Sequence, residues 1–368
     1  MKRPSKDDFS RYFEFDLKPS QQRAFSLLQL FALNPNSKVF ILNGYAGTGK
    51  TTLMGGLIKW LDEKDITFSL LASTGRAAKI LSDKTKSEAR TVHSHIYTFN
   101  DLDDDLEKMS SVQQELRVDD KGQISLLFDL KIIESESEKI YIVDESSMIS
   151  DTPDKSASFA KFGSGELLKD LFKYDKKGKF IFIGDPCQLP PIGQNISPAL
   201  SKEYIQNHYN ITVEEFELTE IVRQSARSSI IDASVKIREL YQNNPTVKFA
   251  SFPLKNHPDI EIHSSHVSLL NSYIAQINEN GFEHSTLISQ TNRHCSDLNK
   301  IIRSALEKQS TQLEPGDILM VTQNNYLTTL VNGDVVEVLQ TGQKEYRCGL
   351  SFVRSEEHTS ELQSRQSI

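Results

Sequence analysis

The sequence predicts an α/β fold: a parallel sheet with helices on both faces, built around a phosphate-binding loop. Three observations carry this. Gly44-Tyr45-Ala46-Gly47-Thr48-Gly49-Lys50-Thr51 fits G-x-x-x-x-G-K-[ST], the spacing of a loop that cradles nucleotide phosphates. Short apolar runs at 38–42, 67–72, 140–143 and 180–183 are separated by helical segments, the pattern of buried parallel strands. These runs end close to chemistry-bearing residues, as expected where such sheets bind ligands, at the carboxyl ends of their strands.

The elements follow in order. Residues 1–8 lack the apolar core of a signal peptide. Ser20 reads as the N-cap of a helix carrying Ala24, Phe25, Leu27, Leu28 and Leu30. The run 38–42 is the first strand, and Leu53, Leu57, Ile58 and Leu61 recur at helical spacing after Thr51-Thr52. Strand, glycine loop and helix in that order suit phosphate binding. The glycines let backbone N–H groups turn inward, and the helix N-terminus adds positive dipole. Lys50 would reach the β- and γ-phosphates and the Thr51 hydroxyl would ligate Mg²⁺. The second strand precedes Thr74-Gly75-Arg76-Ala77-Ala78-Lys79, which opens a helix.

A polar stretch over about residues 100–138 is too long for a simple connection and predicts an inserted subdomain. Its runs 116–118 and 124–128 flank Asp119-Asp120-Lys121-Gly122, the signature of a β-hairpin. The third strand ends at Asp144-Glu145. Asp144 would hold Mg²⁺ through water, and Glu145 would orient and deprotonate the attacking water. The fourth strand ends at Gly184-Asp185, and Gln188 behind it could bond the γ-phosphate or that water, making a nucleotide-dependent switch. From about residue 225 a second α/β region is expected, with strands at 285–289, 317–321 and 334–339 and a helix at 297–306.

Composition bounds the class. The chain has 368 residues, 38% hydrophobic and 25% charged, enough for about two globular domains. No stretch reaches the apolar length of a membrane span. Cys187, Cys295 and Cys348 form no CxxC pair, so neither a zinc site nor a disulfide framework is indicated, and a cytoplasmic location is the default. A net charge of −8 argues against bulk attraction to nucleic acid while leaving room for a local basic groove.

The ordered set Gln21, GYAGTGKTT, STGRAAK (73–79), RTVHSHIY (90–97), VDESSMI (143–149), GDPCQLPP (184–191) and LTEIVRQ (218–224) resembles superfamily 1B DNA helicases of RecD-like and Dda-like type, over roughly residues 15–340. The resemblance implies a P-loop NTPase with a RecA-like first motor domain at 1–222 and a second, incomplete RecA-like domain at 223–353. It implies ATP and Mg²⁺ as ligands, and single-stranded DNA and duplex junctions as partners, with 5′–3′ translocation. No membrane association is implied, and a monomer is expected.

Position by position, Gln21 would contact adenine, while Gly44, Ala46, Gly47, Thr48, Gly49, Lys50, Thr51 and Thr52 would surround the phosphates. Gln188 resembles the nucleotide sensor, and Arg223 the arginine that reaches the γ-phosphate, a contact of the kind that contributes about 10³–10⁵ in rate. Thr74, Arg76, Thr91 and His93 would line the DNA track, with His95 packed, and Asn292 and Arg293 would meet phosphate at a helix N-terminus. The insert would be the pin that splits the duplex, with Phe128 either stacking on a base or packing in the core.

The chain departs from the family after Asn332-Gly333-Asp334, where a histidine-lysine-x-glutamine-glycine segment and a last motif with a second arginine finger are not found. The run 354–364, RSEEHTSELQS, matches the translation of a common sequencing-library adapter, so 354–368 is expected to be foreign to the natural gene. A chain of this extent is expected to bind ATP weakly and hydrolyse it poorly. Two other readings stay open: a nucleotide-gated single-stranded-DNA-binding module without turnover, and a different P-loop ATPase such as a nucleotide kinase.

Overall fold

The computed structural model describes residues 9, 11–99, 126–133, 138–153, 160–220, 229–243, 257–306, 308, 313–321, 333–347 and 350–358. The chain divides into two compact units, Met1–Gln224 and Ser225–Ile368.

In the first unit the order is α1 (Pro19–Leu33), β1 (Val39–Gly44), α2 (Lys50–Glu63), β2 (Phe68–Ala72), α3 (Gly75–Thr85), β3 (Ala89–Thr91), α4 (Val92–Ile96), β4 (Tyr97–Phe99), β5 (Leu126–Leu130), β6 (Ile140–Asp144), β7 (Ala160–Phe162), α5 (Leu167–Tyr174), β8 (Lys179–Gly184), α6 (Lys202–Tyr209) and β9 (Val213–Leu218). Six strands form one sheet in the order β3-β2-β6-β8-β1-β9, and every pairing is parallel. The P-loop α/β class read from the sequence is borne out. The edge strands β3 and β9 are additional to the four runs read as strands. β3 is only three residues long, and β9 buries only its end residues Val213 and Leu218 around Glu214, Glu215 and Glu217, so neither shows a continuous apolar run.

Alternation along the strands divides the apolar residues between two cores. Phe40 and Leu42, Leu70, Ile140 and Ile142, Ile181 and Ile183, and Leu218 face α1, α2 and Leu81 of α3. Val39 and Ile41, Leu71, Tyr141 and Val143, Phe180 and Phe182, and Val213 face α4, α5 and Ile205 of α6. Three buried carboxylates stitch the second face together. Tyr97 donates to Asp170 at 2.9 Å, Tyr141 to Asp175 at 2.8 Å and Tyr204 to Asp151 at 2.9 Å. Because all six strands run the same way, residues following Gly44, Ala72, Thr91, Asp144, Gly184 and Leu218 emerge at one edge.

Local details differ from the sequence expectation. Lys18, not Ser20, is the N-cap of α1, with Pro19 at the first helical position. Ser20 lies inside the first turn, its hydroxyl oxygen buried and without a hydrogen-bond partner. Gln21 is the third helical residue, and its Oε1 accepts from the Lys18 N–H at 3.0 Å. The α1 C-terminus is closed from outside. Its last turn holds no basic residue, and Lys179 of β8, 2% exposed, donates to the carbonyls of Ala32 at 3.1 Å and Asn34 at 2.8 Å. Lys179→Ala is therefore expected to lower stability by about 2–3 kcal/mol in urea denaturation. A loss near zero would mean that water replaces the ammonium at no cost.

Of the expected hairpin, residues 100–125 lie outside the described residues. Its second arm is β5, which pairs antiparallel with β4 and parallel with β7 in a three-stranded sheet. Phe128 stacks on Phe162 with centroids 4.6 Å apart, so its ring is engaged within this sheet.

The second unit holds α7 (Ser229–Asn243), α8 (His266–Asn280), α9 (Asn292–Ala305) and an antiparallel sheet of β10 (Ile318–Met320), β11 (Val335–Arg347) and β12 (Leu350–His358). The expected strand at 285–289 does not form: no described strand pairs with it, and Ile288 is 88% exposed. An apolar run becomes a strand only where a neighbour supplies ladder bonds. The α9 helix begins at Asn292, five residues before the expected start, because the Thr291 hydroxyl caps it by accepting from the His294 N–H at 3.1 Å. Within 354–368, where no regular element was expected, β12 continues to His358, with Ser355 opposite Thr341 and His358 opposite Glu337. Antiparallel ladders use backbone groups that every non-proline residue carries, so side-chain periodicity is not required. Residues 359–368 lie outside the described residues.

Candidate nucleotide site

The loop after β1 is shaped by its glycines. Gly47 has φ 82° and Gly49 φ 87°, in the left-handed region that side chains disfavour. A Cβ on Gly49 would collide with Gln21 Nε2, and one on Gly44 would meet Thr48 Oγ1 at 2.8 Å. Thr48 is fully buried; its hydroxyl donates to the Tyr45 carbonyl at 2.8 Å and its own carbonyl accepts from Gln21 Nε2 at 3.1 Å. Gln21, 1% exposed, thus braces the loop from α1, with both ends of its amide bonded to backbone. Ala46 is exposed at the loop crest, and Lys50, Thr51 and Thr52 form the half-buried first turn of α2.

Lys50 Nζ donates to the Gly44 and Tyr45 carbonyls. Burial pulls its pKa down, while Asp185, Glu145 and Asp144, in that order, hold it up. Burial, followed by the neighbouring Glu145, pushes the Asp144 carboxyl up to about 6, against the lowering pull of the Glu145 N–H at 3.0 Å and of Lys50 and Lys84. Glu145 has φ 51° and ψ 42°, a left-handed conformation uncommon outside glycine. This bends the chain sharply off β6 into the Ser146–Met148 turn. The Ser146 hydroxyl fastens that turn to the Val143 carbonyl at 2.7 Å, and the Ser147 hydroxyl donates to Gln188 Oε1 at 3.4 Å. Gln188 is itself exposed, in a turn whose first residue is the buried Asp185. One basic group, carboxylates on two neighbouring strand ends and a glycine cradle that side chains would fill suit a nucleotide polyphosphate with a divalent cation.

At the same sheet edge, Thr74 caps α3, accepting from the Ala77 N–H at 3.2 Å, and Thr91 caps α4, accepting from the Ser94 N–H at 3.1 Å. Arg76 lies half-buried in the first turn of α3. His93 packs edge-on to Phe162 at 5.0 Å, and burial lowers its pKa. Asn292 and Arg293 are exposed at the start of α9, in the second unit. Arg223 lies outside the described residues. Asp185 is visible in the sequence only as the strand end within GDPCQLPP; its place beside the phosphate loop follows from the pairing of β8 with β1, which no local pattern reveals.

His95 is packed between Tyr174 at 5.3 Å and Tyr141 at 5.8 Å, with Nε2 buried and without a hydrogen-bond partner. Burial first, then Lys139, Arg90 and Lys131, lower its pKa to about 4. The folded chain therefore resists protonating His95, whereas the unfolded chain takes up a proton near pH 6.5. Stability contributed by the neutral ring is complete above about pH 6.5 and is lost as pH falls toward about 4. Thermal melts at pH 7.5 and 5.0 should show a drop in Tm that shrinks in His95→Gln; an equal drop in both proteins would assign the effect to other groups.

Residues 16–247 match the AAA domain family, and the chain belongs to it. That family supports the P-loop part of the superfamily resemblance read from the motifs. Among curated relatives, the chain is 26% identical to the uncharacterized protein R530 of Acanthamoeba polyphaga mimivirus, over 87% of the chain and 64% of that protein. It is also 26% identical to the ATP-dependent DNA helicase dda of Enterobacteria phage T4, over 89% of the chain and 66% of the phage protein. The chain thus spans just under two thirds of the length of these relatives. Among solved structures, the Pif1 helicase from Candida albicans aligns over 89% of this chain and 70% of its own, with 19% identity and a TM-score of 0.39. Among the described residues no helix is long and apolar enough to cross a membrane.

Proposed function

We propose that this chain is the motor portion of an ATP-dependent DNA helicase that moves along single-stranded DNA, in the 5′–3′ direction by resemblance. The observation that carries the reading is the glycine loop with Lys50, whose charged form Asp185, Glu145 and Asp144 favour, at the sheet edge from which Thr74 and Thr91 also emerge. In this reading the loop N–H groups from Ala46 to Thr52 and the Lys50 ammonium bind the triphosphate, and Gln21 holds the loop while its helix borders the adenine. Thr51 and Asp144 would hold Mg²⁺, which when bound would supply positive charge against the phosphates. Glu145 positions water for in-line attack and takes its proton. Gln188 senses the γ-phosphate, and Arg223 supplies a second cation to it. The helix N-termini at Thr74 and Thr91, with Arg76 and His93, contact the DNA backbone, and Asn292 and Arg293 contact phosphate from α9.

The test is phosphate release with and without single-stranded DNA, followed by unwinding of duplexes tailed on either side. Stimulation by DNA and preference for a 5′ tail are expected of the whole protein. Nucleotide-dependent DNA binding without turnover would instead support the binding-module reading, and DNA-independent transfer to a small acceptor would support a kinase. The phage relative's name as a DNA helicase supports the first outcome.

A further inference from the structure

Asp185 occupies the junction between the phosphate loop and the Gln188 turn. Strand register sets its place. Asn43 of β1 pairs with Gly184 of β8, so Gly44, the last residue of β1, and Asp185, the first residue beyond β8, come next in register. A Cβ on Gly184 would meet Leu200 at 2.6 Å, within the core of the opposite face. Alternation then directs Asp185 toward the face of α2, where Lys50 begins the helix.

The side chain is 7% exposed and acts on its own turn. Its Oδ1 accepts from the Cys187 N–H at 2.9 Å, and its carbonyl accepts from the Gln188 N–H at 3.1 Å. The bend that carries Gln188 is therefore folded around Asp185, in an Asx-type turn. The far end of the same turn is tied to Ser147 by the Gln188 side chain.

We propose that Asp185 is a positioning residue that couples the charge held by Lys50 to the geometry of the Gln188 turn. The proposal rests on the nucleotide reading of the phosphate loop. Of the carboxylates that act on Lys50, Asp185 does so most strongly, ahead of Glu145 and Asp144. A triphosphate drawn to Lys50 brings like charge toward Asp185. The carboxylate responds through the backbone it caps, so the Gln188 turn shifts with the state of the phosphate chain. Two properties of Asp185 then separate. Its charge opposes nucleotide binding, and its Oδ1 orders the turn.

Asp185→Asn keeps an acceptor for the Cys187 N–H and removes the charge; Asp185→Ala removes both. The full chain is titrated with a fluorescent non-hydrolysable ATP analogue and Mg²⁺, with Lys50→Ala as control. In parallel, the rate of iodoacetamide alkylation at Cys187, exposed in the same turn, is followed by peptide mass spectrometry with and without the analogue. Asp185→Asn is expected to bind the analogue about three- to ten-fold more tightly than the unmodified chain, the scale of one removed like charge at intermediate dielectric. Cys187 alkylation is expected to change on nucleotide binding in the unmodified chain and to become insensitive in Asp185→Ala. Unchanged or weaker binding by Asp185→Asn, or a nucleotide response of Cys187 retained in Asp185→Ala, overturns the proposal. If the unmodified chain and Lys50→Ala bind the analogue equally, the nucleotide reading itself fails, which is a distinct result.

Discussion

Lys50→Ala is expected to abolish nucleotide binding, lowering affinity for an ATP analogue by at least about 30-fold in an equilibrium titration. The ammonium is the one cation contributed by the glycine loop itself, and it is half-buried beside Asp185, Glu145 and Asp144. Removing it leaves those carboxylates facing the phosphates without compensation, so the loss exceeds that of a single surface contact. Thermal stability without nucleotide should change little, because Lys50 donates only to loop carbonyls that water can reach once the side chain is gone. Affinity unchanged in this variant would remove Lys50 from the site, whatever happened to turnover.

The second large effect is on chemistry rather than binding. Glu145→Gln should lower the rate of ATP hydrolysis by about 10²–10⁴-fold while leaving analogue affinity within a few-fold. The substitution keeps size and hydrogen-bonding capacity but cannot accept a proton from water. Asp144, pushed up to about 6 mainly by burial, loses the repulsion of its neighbour in this variant and is expected to hold its charge more readily. Binding and hydrolysis falling together would place Glu145 with the nucleotide-binding groups. Hydrolysis preserved in full would move the base elsewhere. The left-handed backbone at Glu145 is shared by both side chains, so the comparison isolates the carboxylate.

The two predictions concern residues that were legible for different reasons. Lys50 is marked by a spacing of glycines whose geometry has few uses, and the structure supplies the reason for each: positive φ at Gly47 and Gly49, and no room for a Cβ at Gly44. Asp144 and Glu145 were legible because a buried strand ends in two adjacent acids, which is rare without a partner charge. Gln188 could be named from its motif, but its bond to Ser147 joins turns 41 residues apart in sequence. The same holds for Gln21, whose amide reaches Thr48 across 27 residues. Local pattern says that such a residue is polar and near a site; it does not say which backbone atom it holds.

The failures have a common cause. Serine favours the cap position, yet Pro19 fits the first helical residue and moves the boundary ahead of Ser20. The run 285–289 has strand-like residues and no ladder, while residues 355–358 have no strand-like period and are paired. β3 and β9 complete the sheet at its edges, where short length or one polar face weakens the apolar signal. In each case the outcome depended on whether a neighbouring segment supplied hydrogen-bond partners, and that is a property of topology.

What the sequence determined by itself was the order of strand, loop and helix and the identity of the groups that meet phosphate, because short-range sterics and helix periodicity act within a few residues. What only the tertiary structure decided was adjacency: β8 between β6 and β1, Asp185 beside the phosphate loop, Lys179 at the end of α1. Those arrangements come from parallel pairing between segments more than 100 residues apart in sequence, such as β1 with β8, and from burial that drives each apolar face onto its helices.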